Sequence, residues 1–451
     1  MAGTTRSGIT LHAVTPHQGS AALSKLSLRV IDQYLSKYAL LPGGCPELTD
    51  RWQHVLVIPC FDEPADFLAN LEVVHGETSL LVVLVMNRPA LSKTDINRPL
   101  KDYLARWATQ SLEPGYQLHT SPRSLTVLSI DLERLEGTTP VDQGVGRARR
   151  VGCDVALALI ARGTIASQWI YSGDADASWP SGFFRQCWPE TASAISLPFT
   201  HHLLKNDPTS AATLLYELKL HHYVLHLAAL GSPYAFHALG SSFAMSAVGY
   251  AAVRGVPLRS AGEDFYLLNK LAKVGVIHRA TGPGVSITSR RSTRVPFGTG
   301  PAVATLLEST DLSRAPLFYD ARCFNMLGIV LQLFGRWINY PNTDTEADLR
   351  RELEPTVASG VLNLLKQWRY KKAITHIHNA AQTPALRIHH THIWLDGFKL
   401  LKLIHLIRDG HYPNITFLDS VNRPGQWPIE LHTGEPEQMR QVIYQHLGWQ
   451  H

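Results

Sequence analysis

Two aliphatic runs dominate the first hundred residues, VLVIP at Val55–Pro59 and LLVVLVM at Leu80–Met86. Neither alternates apolar with polar positions. A strand with one wet face alternates, whereas a short run that is apolar throughout belongs to a strand covered on both faces, the situation of parallel sheets flanked by helices. Ala65–His75 between the runs has helical character, so the unit reads as βαβ. Leu125–Ile130 and Gln168–Tyr171 read as further strands. Gly146–Arg162 reads as an intervening helix, because Val151, Val155, Ala158 and Leu159 recur at helical spacing.

Outside this block the pattern is helical. Leu28, Ile31, Leu35 and Tyr38 give Ser24–Leu40 one apolar face, and Pro42-Gly43-Gly44 stops it. Phe324–Trp337, Val357–Tyr370 and Trp394–Arg408 are helix-like segments separated by Pro- and Asn-containing turns. The expected organisation is an N-terminal helical extension over residues 1–50, an α/β domain with a mainly parallel sheet over 51–300, and a helical region over 301–451.

Composition narrows the function classes. The 451 residues carry 42 Lys+Arg against 37 Asp+Glu, and a formal charge of +5 spread over this length is no nucleic-acid footprint. No run approaches the roughly 18 apolar residues of a membrane span, and the N-terminal MAGTTRSGITLHAV lacks the apolar core of a secretory signal. The five cysteines show no CxxC pair, so neither a zinc cluster nor a disulfide framework is suggested, and a cytoplasmic location is expected.

Three acidic segments then follow in chain order. VLVIPCFDEP ends a strand at Pro59 and supplies Asp62 and Glu63 just beyond it, where open α/β sheets bind ligands. WIYSGDADASW places Asp174 and Asp176 after a second strand. Two positions apart in extended chain, they project to one side, and hard oxygen ligands of this kind suit Mg²⁺ or Mn²⁺. AGEDFYLLNKLAKVG sets Glu263 and Asp264 in the first turn of a helix, where carboxylates are favoured whether they merely cap the helix or act as a base. Arg147, Arg149 and Arg150, at the start of the Gly146–Arg162 helix, oppose the helix dipole and call for a neighbouring anion such as a phosphate.

A strand ending in a Pro-x-x-Asp-Glu turn, a middle Asp-x-Asp and a late Glu-Asp resemble, in this order, the GT-A-fold glycosyltransferases of the large family-2 type. HALGSSFAMSAVGYAAVRGVPLRSAGED resembles the acceptor-side stretch of that family, and the likeness covers about residues 50–295. It implies a Rossmann-type α/β domain that moves a sugar from a UDP- or GDP-linked donor to an acceptor hydroxyl, with inversion. Pro59, Asp62 and Glu63 would then hold the nucleoside, Asp174 the ribose or metal, and Asp176 the metal. Asp264 would be the general base and Glu263 its support. GVGRARRVG resembles the basic segment ahead of the Asp-x-Asp, which makes Arg147 and Arg149 diphosphate candidates.

The chain departs from the pattern at two points. VSITSRRSTRVPFG has no His where many relatives carry one, and Arg290 or Arg291 would neutralise the diphosphate instead. QLFGRW at Gln332–Trp337 has one residue too many for a Gln-x-x-Arg-Trp segment, which argues against a processive synthase. Of the 22 histidines, His376, His378, His389, His390 and His392 form a cluster read as surface or packing residues rather than zinc ligands, as are His201, His202, His221 and His222. LLYELKLHHYVLHL offers Tyr216, Lys219 and Tyr223 to an acceptor pocket. A sugar-phosphate nucleotidyltransferase and a non-catalytic binding protein of the same fold remain the alternatives.

Overall fold

A computed structural model of the chain describes residues 24–76, 78–291, 298–431 and 433–450. The polar N-terminal stretch and residues 292–297 of the VSITSRRSTRVPFG segment lie outside the described residues.

Nine strands form the main sheet: β1 (His54–Cys60), β2 (Leu80–Met86), β3 (Ala108–Ser111), β4 (Tyr116–Thr120), β5 (Thr126–Asp131), β6 (Trp169–Ser172), β7 (Ala192–Ser196), β8 (Phe243–Ser246) and β9 (Val276–Arg279). Their spatial order is β9-β7-β8-β6-β1-β2-β5-β4-β3. The sheet is mixed rather than mainly parallel. Parallel pairing holds for β6-β1-β2-β5 and for β7 with β9. β8 runs antiparallel to both β6 and β7, and β4 antiparallel to β3 and β5. For β3, β4 and β5 the reason is local: only four or five residues join β3 to β4 and β4 to β5, and connections that short make hairpins, while parallel neighbours need a crossover.

The two aliphatic runs are β1 and β2, and β2 is buried along its whole length. Val55, Val57, Leu81, Val83 and Val85 enter one hydrophobic layer, and Leu56, Ile58, Leu80, Val82 and Leu84 the other. Both parities of the strand are therefore covered, which is why the run shows no alternation. The helix Gly144–Ala161 covers the first layer. A Cβ at Gly152 would sit 2.5 Å from Val57 and 2.9 Å from Val85, so glycine sets how closely this helix approaches the sheet.

The helix Lys25–Lys37 is capped by Ser24 and anchored by Tyr34, whose hydroxyl donates to buried Asp154 at 2.5 Å. In the C-terminal part, the helices Ala321–Asn339, Pro355–Gln367 and Gly397–Gly410 match the helix-like segments read from sequence, with Thr345–Glu352, Tyr370–Ala380 and Pro384–Trp394 between them. Phe324, Leu327, Leu333, Phe334 and Trp337 belong to the same hydrophobic cluster as Val55 and Val57, so the C-terminal helices share a core with the sheet. Among the described residues no helix is long and apolar enough to cross a membrane.

Candidate active site

A cavity of about 1180 Å³ opens beyond the carboxyl ends of β1 and β6, the position where open α/β sheets bind ligands. Its wall includes Pro59 near the end of β1 with Phe61 and Glu63 just after it, Asp174 and Asp176 after β6, and Gly262, Glu263 and Asp264 at the start of the helix Glu263–Leu271. Three segments spread over 200 residues of chain thus bring five carboxylates to one hollow.

Arg149 stands behind them, fully buried. Its Nη2 donates to Asp174 Oδ1 at 2.7 Å and its Nε to Glu263 Oε1 at 3.1 Å. Its Nη1 donates to Ser172 Oγ at 2.6 Å and to the carbonyls of Gly173 and Gly240, each at 3.1 Å. Burial opposes the charge of this guanidinium, but Asp174, Glu263 and Asp264 outweigh it and hold its pKa above the ordinary arginine value. Arg149 therefore fixes two acidic segments against each other, a role missed in the sequence reading. Gly240 belongs to this packing, since a Cβ there would lie 2.6 Å from Arg149 Nη2 and 3.0 Å from Asp174 Oδ2.

The three arginines at the start of the helix each meet a carboxylate of the chain itself. Arg147 binds Glu136 at 2.6 Å, Arg149 binds Asp174 and Glu263, and Arg150 binds Asp154 at 3.0 Å. The anion that this helix start calls for is supplied from within the protein.

Arg290 makes a second junction at the front of the site. Its guanidinium grips both oxygens of Glu63 at 2.8 Å and reaches Asp176 Oδ2 at 2.8 Å. The fork geometry of arginine suits such double contacts. It joins the end of β1, the Asp-x-Asp loop and the segment after Ile287.

Asp264 lines the cavity, half-buried, on a helix whose first turn follows Gly262 in the left-handed region at φ 67°. Burial and the neighbouring Glu263 push its carboxyl up to about 7 against the pull of Arg149. A group of that pKa exchanges a proton near neutrality.

Other candidates stand apart from the cavity wall. Asp62 is exposed, in a turn at φ 55°, with its amide held by Asn97. Arg147 is engaged with Glu136 and Gln143, and exposed Arg291 stands near Asp207, whose carboxyl it helps to hold below the usual range after the hydrogen bonds from Ser210. In QLFGRW, Trp337 is buried and donates to Asp348, which also pairs with Arg336, so this segment is packing.

Tyr216, Lys219 and Tyr223 line the cavity together with Tyr319, Phe398, Leu401, His405 and Arg408 from the C-terminal part. Only the first three were foreseen. The helix Gly397–Gly410 repeats apolar residues at core spacing, which gives no sign that Leu401, His405 and Arg408 face a hollow. His201 also reaches the wall and binds buried Glu217 through Nδ1 at 2.7 Å.

Asp174 and Asp176 share the cavity, and the seating of Arg290 on Asp176 shows that this spot holds positive charge. Such a pair fits Mg²⁺ or Mn²⁺, which protein sites commonly hold through one or two carboxylates with phosphate oxygens completing the shell. Among the described residues no group of three or more His, Cys, Asp or Glu side chains is arranged to hold a metal, the His376–His392 cluster included.

No protein-family model matches the chain, and no curated protein does. Among solved structures, one match is mannosyltransferase PcManGT from Pyrobaculum calidifontis, in complex with GDP-Man and Mn²⁺, at 15% identity and a TM-score of 0.33, covering 81% of this chain and 92% of that one.

Proposed function

We propose that this chain is a glycosyltransferase that moves a sugar from a nucleoside-diphosphate donor, UDP- or GDP-linked, to an acceptor hydroxyl. The observation that carries this reading is the convergence of Glu63, Asp174, Asp176, Glu263 and Asp264 on one cavity, with Arg149 and Arg290 tying them together. Asp264 takes the proton of the acceptor hydroxyl. The freed oxygen attacks the anomeric carbon as the bond from that carbon to the diphosphate oxygen breaks, and the nucleoside diphosphate leaves with the electron pair, inverting the centre. Asp174 and Asp176 would hold a divalent cation, which offsets the charge that develops on the leaving diphosphate. Glu63 and Pro59 border the nucleoside, and Glu263 keeps Asp264 in place through its bond to Arg149.

Arg290 is the natural cation to turn from Asp176 toward a diphosphate, since its fork binds phosphate oxygens as readily as carboxylates. The test is release of UDP or GDP from a panel of nucleotide sugars with Mn²⁺, comparing the wild type with Asp264→Asn. Release that depends on Asp264 supports the reading. No release from any donor, or release undiminished in Asp264→Asn, removes it.

A further inference from the structure

The cavity is chemically two-ended. All five carboxylates of its wall belong to the end built from β1, β6 and the helix Glu263–Leu271, and Arg149 and Arg290 are consumed there by ion pairs. The two remaining strong cations of the wall, Lys219 and Arg408, line the part built by the helix Pro208–Ala229 and the C-terminal helices, with Tyr216, Tyr223, Tyr319 and His405.

Lys219 has no carboxylate of the described residues within ion-pair distance, and its ammonium lies 5.5 Å from the centre of the Tyr216 ring. Arg408 gives its Nε to Asp409 at 2.6 Å, but Asp409 is exposed and outside the wall, and the guanidinium lies 5.8 Å from the Tyr319 ring centre. His405 Nε2 lies 3.0 Å from the Tyr319 hydroxyl.

We propose that this end of the cavity binds an anionic group, a phosphate or a carboxylate, carried by the hydroxyl compound that accepts the sugar. The proposal rests on the glycosyltransferase reading for the word acceptor, but the anion site stands on Lys219 and Arg408 alone. A cation half-buried among aromatic rings and lacking a carboxylate is costly in the empty protein, and a bound anion is what offsets it. A neutral acceptor would leave that cost in place. Burial and the nearby Arg408 lower the pKa of Lys219, in keeping with an ammonium short of negative charge.

Both ends open into one cavity. Tyr216, Lys219, Tyr319 and Arg408 line the same cavity as Asp264. An acceptor anchored by its anion on Lys219 and Arg408 thus keeps its hydroxyls within the cavity that Asp264 lines. The arrangement also keeps the anion of the acceptor away from the diphosphate of the donor, which occupies the opposite end. Recognition by two cations and several tyrosines at once is the pattern of a polar ligand gripped by charge and covered by rings.

The experiment titrates the full chain with glucose 6-phosphate, glucuronate, inorganic phosphate and methyl glucoside by calorimetry, in parallel with donor cleavage. The anions should bind at least about tenfold more tightly than methyl glucoside, a difference of about 1.4 kcal/mol. Lys219→Met should erase that preference and Lys219→Arg should restore most of it, with thermal melts confirming that both variants fold. Glucose 6-phosphate binding more tightly than glucuronate assigns a phosphate, and the reverse order a carboxylate. Equal binding of methyl glucoside and the anions, no binding of any anion, or a preference that survives both Lys219→Met and Arg408→Gln overturns the site. Anion binding without cleavage of any donor overturns the glycosyltransferase reading and leaves the site standing.

Discussion

Arg149 Nε donates to Glu263 Oε1 at 3.1 Å across 114 residues of chain, and this bond fixes the first turn of the Asp264 helix to the loop that carries the Asp-x-Asp. A fully buried guanidinium with five hydrogen bonds, to Asp174, Glu263, Ser172, Gly173 and Gly240, does not admit a substitute.

Arg149→Met should therefore cost about 3–5 kcal/mol of stability, because it strands buried carboxylates without their partner. Arg149→Lys should recover less than half, since an ammonium cannot reproduce the fork. Urea denaturation of the three proteins measures this. A loss below about 1 kcal/mol for Arg149→Met would show that the ion pairs contribute little.

Asp264→Asn should lower the transfer rate by about 10²–10⁴-fold. In the wild type the rate should rise with pH and level off above about 7, because the proposed base must be ionised. The sign for stability is opposite. The folded-state pKa lies above the ordinary 3.8, so the contribution of this group is fully present below about 4 and is lost as pH rises through about 7. Asp264→Asn should accordingly melt at a higher temperature than the wild type at pH 8, a difference that scanning calorimetry at pH 5 and pH 8 resolves.

Arg290→Gln frees Glu63 and Asp176 from a shared cation. Mn²⁺ should then bind the nucleotide-free protein about tenfold more tightly, or about 1.4 kcal/mol, while UDP or GDP binds more weakly in the presence of metal. Calorimetry with metal alone and with nucleotide separates the two effects, and unchanged Mn²⁺ affinity would place the metal elsewhere.

Gly240→Ala puts a methyl group 2.6 Å from Arg149 Nη2 and 3.0 Å from Asp174 Oδ2, so the ion pair must shift. Overpacking of this kind costs about 1–3 kcal/mol, and donor cleavage should fall by more than that loss of folded protein explains. Gly335→Ala is the control. Nothing lies within 4 Å of a Cβ there, on an exposed face of the helix Ala321–Asn339, so it should stabilise by about 0.5–1 kcal/mol with activity unchanged.

The elements legible in the sequence were those where a local pattern and the tertiary environment agree. β1 and β2 were readable because both faces are buried, and the Gly144–Ala161 helix because Val151, Val155, Ala158 and Leu159 recur at helical spacing, although Val151–Ile160 are buried all round. The antiparallel β8 was not, since FAMS is a four-residue segment placed by its neighbours rather than by its own pattern. In the site, Asp174, Asp176, Glu263 and Asp264 stood out by spacing. The contacts of Arg149 did not, because a helix-start arginine looks the same whether its partner is a ligand or a carboxylate folded in from 114 residues away. Leu401, His405 and Arg408 were hidden for a related reason: a residue facing a lined hollow follows the same helical repeat as one facing the core.

Because one hydrophobic cluster holds Val55 and Val57 together with Phe334 and Trp337, a cut near residue 300 would divide a shared apolar surface. Engineers seeking a shorter chain should expect insoluble fragments from a cut there. Reshaping the cavity calls instead for exchanging individual side chains that line it from Pro208–Ala229 and Gly397–Gly410 while the scaffold stays whole.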